Sequence, residues 1–346
     1  MMRNLLGRVA SPGTVDFIER DMPPAPPGHV TVQIRMSAIC GSDLHIFKGK
    51  HPSVALPATI GHEFSGVVCA LGDGVGALSM GDRVTAEPVI SCGLCDACRH
   101  GDYGYCENIS FTYRNGDGAL ARYITMPACR VFALPDCLGF KAGALTEPLA
   151  VAAHAVRRAD IQMDDRVVVI GSGAIGILVA ALCKRRGASR VAVSDVNPER
   201  LKLARAFGAD ETFGPKSGLL PDAIRRWSGG QGADKSFECV GMEETFRQAM
   251  LCLRKNGLAT VVGIFEQSEI SVPAARFVTH EIRVQGSQGY CWDFPAALRM
   301  AQELPLEKLI THIFPLNKLQ EALDTCLDKE SNAVKVLLRP DSEESP

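Results

Sequence analysis

The chain has 346 residues, 46% of them hydrophobic and 22% charged, with a formal net charge of -2. It is long enough for two cores and rich enough in apolar residues to fill them. Its near-neutral charge, with no basic block or stripe, excludes nucleic acid as an expected partner.

The opening "MMRNLLGRVASPGTV" lacks the long apolar core of a signal peptide and reads as a first strand, so a cytoplasmic protein is expected. Short strand-like stretches follow, punctuated by Gly and Pro: "HVTVQIRMSAI", "GVVCALG", "DRVTAEPV" and "ARYITM". They predict a largely β domain to about residue 150. Within it stand "ICGSDLH", with Cys40, Ser42, Asp43 and His45, and "GHEFSG", with His62 and Glu63. Singly these are weak signals, since a lone Cys is commonly a small core residue.

"SCGLCDACRHGDYGYC" is stronger: Cys92, Cys95, Cys98 and Cys106 have the spacing C-x2-C-x2-C-x7-C. Four thiolates so close along the chain can wrap one Zn²⁺ tetrahedrally and leave no open position, so such a site holds a loop. A disulfide or a redox pair is the competing reading, and a reducing compartment weakens it.

"TEPLAVAAHAVRRADI" brings Glu147 and a helical pattern. From there strands and helices alternate: "RVVVI", "AIGILVAALCKRR", "RVAVSD", "PERLKLARAFG", "KSFECVG", "EETFRQAMLCLRK", "GLATVVGIF" and "EIRVQGS". Alternation of this kind predicts βαβ units and a parallel sheet. The apolar run from Val167 to Cys183 approaches the length of a membrane span, but three glycines interrupt it. Those glycines form G-x-G-x-x-G at Gly171, Gly173 and Gly176, after a strand and at a helix start, which is the context of a dinucleotide-binding turn. Gly171, Gly173, Ile175 and Gly176 are its cofactor-binding candidates. The next strand ends at Asp195, where a carboxylate can accept from ribose hydroxyls and repel a 2′-phosphate, so NAD is expected over NADP. Arg200, five residues on, is the complication: an arginine there could serve a 2′-phosphate. Further along, Val240, Val262, Gly263, Ile264, Gln288 and Tyr290 are candidates to line the nicotinamide side, with wall packing the default role for the apolar ones. The tail, ending in the strand "NAVKVLLRP", is expected to return to the first domain.

Taken together and in this order, "CGSDLH", "GHE", the four cysteines, "EPL", the glycine turn and Asp195 resemble the zinc-dependent medium-chain dehydrogenases, the alcohol and polyol dehydrogenase family. The resemblance covers nearly the whole chain. It implies an α/β plus β fold: a GroES-like β-rich catalytic domain over 1–154, a Rossmann-type doubly wound parallel sheet over 155–289, and a return of 290–346 to the first domain, with substrate bound between the two. It implies two zinc ions, one structural on the four cysteines and one catalytic on Cys40, His62 and Glu63, with Glu147 binding directly or through water. Asp43 would orient a ligand histidine, and Ser42 and His45 would relay the proton released when hydride passes from a small-molecule alcohol to NAD. "GALTEPLAVAAHAVRR" is most similar to the sorbitol, galactitol-phosphate and sugar-acid branch. Gly289 before Tyr290 and Ile46 after His45 depart from the sorbitol pattern, which leaves a secondary hydroxyl of a polyol, sugar acid or cyclitol as the expected substrate. A zinc alcohol/aldehyde or threonine-type dehydrogenase, or a non-catalytic NAD-binding scaffold, are the alternatives. The resemblance further implies a homo-oligomer, dimer or tetramer, and no membrane partner.

Overall fold

The structure is a computed structural model that describes residues 2–51, 53–112 and 117–340. The chain divides into two compact units, Met1–Glu147 with Phe294–Pro346, and Pro148–Asp293. The sequence reading sets the divisions at 154/155 and 289/290. The first lies instead near the start of the helix Thr146–Ala159, because a change of sequence texture marks the helix rather than the point where the chain leaves one unit.

In the first unit a seven-stranded sheet runs in the order Val131–Ala133, Arg83–Ala86, Glu63–Leu71, His29–Ala38, Lys335–Arg339, Ile310–Pro315, with Tyr123–Pro127 also paired to His29–Ala38. The strand His29–Ala38 therefore has three partners, and its Val30, Val32 and Ile34 are fully buried with Phe64 in one core cluster. Each such side chain contributes roughly 1.5–3 kcal/mol by leaving water. The C-terminal strand pairs antiparallel with the same strand, Leu337 opposite Ala38, so the tail does return to this unit. A second cluster, around Ile39, Ile46, Phe47, Leu319, Val336 and Leu338, binds the helix Gly41–Phe47 to the tail.

The second unit is a six-stranded sheet in the order Glu211–Phe213, Arg190–Ser194, Arg166–Ile170, Ala233–Glu238, Leu253–Val261, Arg283–Gly286, and every pairing in it is parallel. In chain order this is 3-2-1-4-5-6, the doubly wound arrangement of dinucleotide-binding domains. Val167, Val168 and Val169 are fully buried, as a central parallel strand covered on both faces requires. The helix Ala174–Arg185, nine of whose residues are buried, packs beside this strand. No helix among the described residues is long and apolar enough to cross a membrane.

Candidate active site

Sheet register assembles the first cluster. Ala38 pairs with Glu63 across antiparallel strands, so Cys40, two residues beyond Ala38, comes opposite the residues just before Glu63. Gly61 makes the sharp entry into His62 with φ +95°, and a Cβ there would lie 2.7 Å from the Leu120 backbone nitrogen. One ligand atom each from Cys40, His62 and Glu63 lies within 4.8 Å of the other two. Thiolate, imidazole and carboxylate around one point are a fitting donor set for Zn²⁺, with a fourth position left open. His62 is 5% exposed and Glu63 1%. Burial by itself pulls the His62 pKa down, yet Cys40, Asp43 and Glu147 hold it well above the ordinary histidine range. The same negative field favours a bound cation.

Asp43 is fully buried and works mainly on the backbone. Its Oδ2 accepts from Cys40 N at 2.9 Å and its Oδ1 from Gly61 N at 2.9 Å, which locks the two ligand-bearing segments together. A direct hydrogen bond to the histidine is not formed: Asp43 Oδ1 stands 3.9 Å from His62 Nδ1, beyond hydrogen-bond distance. Glu147, 4% exposed, lies outside the close cluster, but its charge acts on both His62 and Lys335. Ser42 is buried and His45 half-buried on the short helix that Cys40 caps.

The four cysteines also converge. Cys92 Sγ is 3.5 Å from Cys106 Sγ and 4.0 Å from Cys98 Sγ, and all four sulfurs lie within 4.8 Å of one another. A tetrahedral Zn–S site with bonds of about 2.3 Å places sulfurs about 3.8 Å apart, whereas a disulfide needs about 2.05 Å. None of the thirteen cysteines forms a disulfide, so the disulfide alternative is set aside. The backbone amides of Leu94 and Cys95 donate to Cys92 Sγ and, with Cys106, draw its pKa down to about 6, while burial and its sulfur neighbours push Cys98 up to about 12. Beneath the lobe, the Arg130 guanidinium lies 4.2 Å from the Tyr103 ring centre and donates to Glu87 and Ser91.

In the second unit the glycine turn has the form that a phosphate cradle needs. Gly171 has φ +97°, and a Cβ there would press on Val240. A Cβ on Gly176 would collide with Gly171 O at 1.8 Å, so helix and strand touch through this residue. At Gly173 a Cβ would meet nothing within 4 Å. That second glycine therefore leaves open space beside the backbone, next to first-turn amides that no helical carbonyl can use. Ile175 is half-buried in that turn. Asp195 Oδ2 accepts from Ser172 N at 2.6 Å and Oδ1 from Asn197 N at 2.8 Å, so it braces the turn from the neighbouring strand end. Arg200 sits on the following helix, half-buried. Val240 and Ile264 are 42% and 49% exposed at the carboxyl ends of their strands, with Val262 and Gly263 half-buried between them. Gln288 is exposed, but Tyr290 is 1% exposed. At that exposure the side chain offers a ligand almost no surface.

Three contributors escape the motif reading. Lys335, on the tail strand, is 4% exposed and donates to both Glu63 oxygens at 2.5 Å and to Ile39 O at 3.2 Å. Burial would lower its pKa, but Glu63 and Cys40 hold it above the ordinary lysine value. Its signal was a charge set directly before the apolar run Val336–Leu338 in "NAVKVLLRP". Asp293 gathers His154 Nδ1 at 2.8 Å, Arg157 Nε at 2.7 Å and its own neighbour Cys291 N at 3.1 Å. Glu238, fully buried, uses Oε1 to accept from Val240 N, Gly241 N and Thr245 Oγ1, and so fixes the turn that carries Val240.

Comparison with known proteins agrees with this geometry. Residues 26–136 match the alcohol dehydrogenase GroES-like domain, and residues 174–303 match the zinc-binding dehydrogenase domain. The chain is 34% identical to the sorbitol dehydrogenase of Halalkalibacterium halodurans, over 95% of this chain and 97% of that one. It is 34% identical to the L-idonate 5-dehydrogenase of Vitis vinifera, over 91% and 89%. Among solved structures, galactitol-1-phosphate dehydrogenase of Escherichia coli superposes with a TM-score of 0.89 at 30% identity, covering 97% of this chain and all of that one.

Proposed function

Because the chain belongs to the family of zinc-binding dehydrogenases with an alcohol dehydrogenase GroES-like domain, we propose that it oxidises a secondary hydroxyl of a polyol, sugar acid or cyclitol with NAD, reversibly. The observation that carries this reading is the convergence of Cys40, His62 and Glu63 in one buried cluster, on the same chain as a glycine turn with open space at Gly173. Zinc bound by the three side chains supplies a Lewis acid that makes a substrate hydroxyl acidic near neutral pH. NAD supplies the hydride acceptor.

The chain's own groups do the rest. Cys40 and Glu63 neutralise the metal's charge, His62 adds an uncharged donor, and Glu147 adds negative field from just outside the cluster. Asp43 keeps the two ligand segments in register through their amides. Ser42, beside Cys40 on the capped helix, accepts the substrate proton and passes it towards His45 or solvent. The four-cysteine lobe holds its zinc as a folding clip, since a closed site offers no coordination position to substrate. In the second unit, Gly171, Gly173, Ile175 and Gly176 cradle the pyrophosphate, Asp195 takes the adenosine ribose with Arg200 at its rim, and Val240, Val262, Gly263, Ile264 and Gln288 border the nicotinamide.

The named relatives act on a sugar alcohol, a sugar acid and a sugar-alcohol phosphate, which favours a polyhydroxylated substrate over a simple alcohol. We further propose a cytoplasmic homo-oligomer. The outer edge of strand Arg283–Gly286 ends the six-stranded sheet and, with Val272, Phe277 and Val278 exposed nearby in sequence, offers an apolar face for a second copy. The test of the function is NADH formation with zinc-loaded protein over a panel of polyols, sugar acids, cyclitols, threonine and simple alcohols. Turnover confined to simple alcohols or to threonine would move the assignment to the other branches. Binding of NAD without turnover of any substrate would make the chain a scaffold.

A further inference from the structure

The Lys335 ammonium donates to both oxygens of Glu63, at 2.5 Å each, in a setting where the lysine is 4% and the glutamate 1% exposed. A cation that spans both carboxylate oxygens occupies the position that a chelated metal ion would use. We infer that Lys335 is a positioning residue that competes with the metal for Glu63, so that Glu63 is a releasable ligand and the metal-free site stays folded on a built-in counter-cation. This rests on the reading of Cys40, His62 and Glu63 as the metal's ligands.

The charges argue for it. Without metal, the Glu63 carboxylate is 1% exposed and almost cut off from water, a setting in which an unpaired charge is costly. Lys335 offsets it from inside the unit. Its stem is fixed by the tail strand: Ile39 N donates to Val336 O, Leu337 pairs with Ala38, and Lys335 Nζ reaches Ile39 O, one residue before Cys40. The ammonium is therefore aimed at the Cys40–Glu63 side by backbone pairing rather than by a flexible surface stem. A metal held by Cys40, His62 and Glu63 would have to share the Glu63 carboxylate with Lys335, and two cations on one carboxylate would repel each other. Such a ligand is held weakly enough to be exchanged for an incoming oxygen donor, whereas a carboxylate with no second cation would stay on the metal.

A purely structural lysine and a competing one predict opposite signs. If Lys335 merely oriented Glu63 for the metal, its removal would loosen metal binding. If it competes, removal tightens it. The experiment follows zinc release from wild type, Lys335→Met and Lys335→Arg into a chromophoric chelator, with His62→Ala identifying which release phase belongs to the Cys40 cluster. The expected result is that this phase slows by about tenfold or more in Lys335→Met and returns to the wild-type rate in Lys335→Arg, while the cysteine-lobe phase is unchanged. Equal or faster release from Lys335→Met overturns the inference. A wild type with no phase lost in His62→Ala overturns it together with the ligand assignment. If Lys335→Met accumulates as folded protein only when zinc is added during expression, the counter-cation role is supported; failure to accumulate even with zinc overturns it.

Discussion

Replacing Asp195 by Ala removes together the brace that holds the glycine turn and the group that selects the cofactor. Two charge-assisted hydrogen bonds are lost, from Ser172 N at 2.6 Å and Asn197 N at 2.8 Å. Bonds to a charged acceptor contribute about 1.5–3 kcal/mol net when buried. Asn197 is half-exposed and its amide can turn to water, but Ser172 is fully buried and its amide cannot. The stability cost is therefore close to that of one such bond, about 2 kcal/mol, and Asp195→Asn, which keeps one acceptor oxygen, costs about half as much. The cofactor effect adds to this. Loss of a carboxylate accepting from ribose hydroxyls raises the KM for NAD by roughly 10- to 100-fold, and removal of its repulsion lowers the KM for NADP. The assay is kcat/KM for both cofactors on wild type and both variants, with thermal unfolding of each. A wild type that uses both cofactors equally, or an Asp195→Ala variant that keeps its NAD preference and its Tm, would refute the reasoning and turn attention to Arg200.

Other substitutions test other parts of the chain. Cys95→Ser opens the four-sulfur lobe, so soluble yield and metal content should fall by more than the KM of the surviving enzyme changes; intact zinc content after this change would count against a clip. Asp293 has its carboxyl pKa lowered to about 2, since hydrogen bonds from His154 and Arg157 outweigh the burial that would raise it. Its charge therefore contributes stability that is fully present above about pH 4 and is lost as pH falls through about 2, and Asp293→Asn should cost about 2 kcal/mol at pH 7 with the gap narrowing in acid. A gap independent of pH in denaturant unfolding would contradict that network. Ser42→Ala should keep both metals and NAD affinity yet lower kcat by roughly a hundredfold, and an unchanged kcat would remove Ser42 from the proton path.

Much of this architecture was readable from local pattern because the deciding features are local. The glycine turn, the four-cysteine lobe and "GHE" each lie within a short stretch, and each has a spacing that only a few backbone geometries satisfy. The alternation of apolar strands with helices after residue 160 likewise fixed a parallel sheet, as Val167–Val169 and the helix Ala174–Arg185 bear out. What stayed hidden depends on pairing between distant segments. Lys335 meets Glu63 across 272 positions, and Asp293 meets His154 across 139. No spacing rule spans such separations. Asp43 shows a subtler limit: the residue was picked out, but its partners are two backbone amides, which carry no side-chain signature. Tyr290 shows the converse, since an aromatic in a promising late segment is only 1% exposed.

The most direct test of the account is His62→Ala, read by metal content, NAD affinity and turnover of a polyol substrate in parallel with wild type. Wild type should hold two zinc ions per chain, and the variant about one, kept by Cys92, Cys95, Cys98 and Cys106. NAD affinity should be unchanged, because the glycine turn and Asp195 lie in the other unit. Turnover should fall nearly to zero. A variant that retains both zinc ions and wild-type turnover would contradict the assignment of Cys40, His62 and Glu63 as the catalytic metal site.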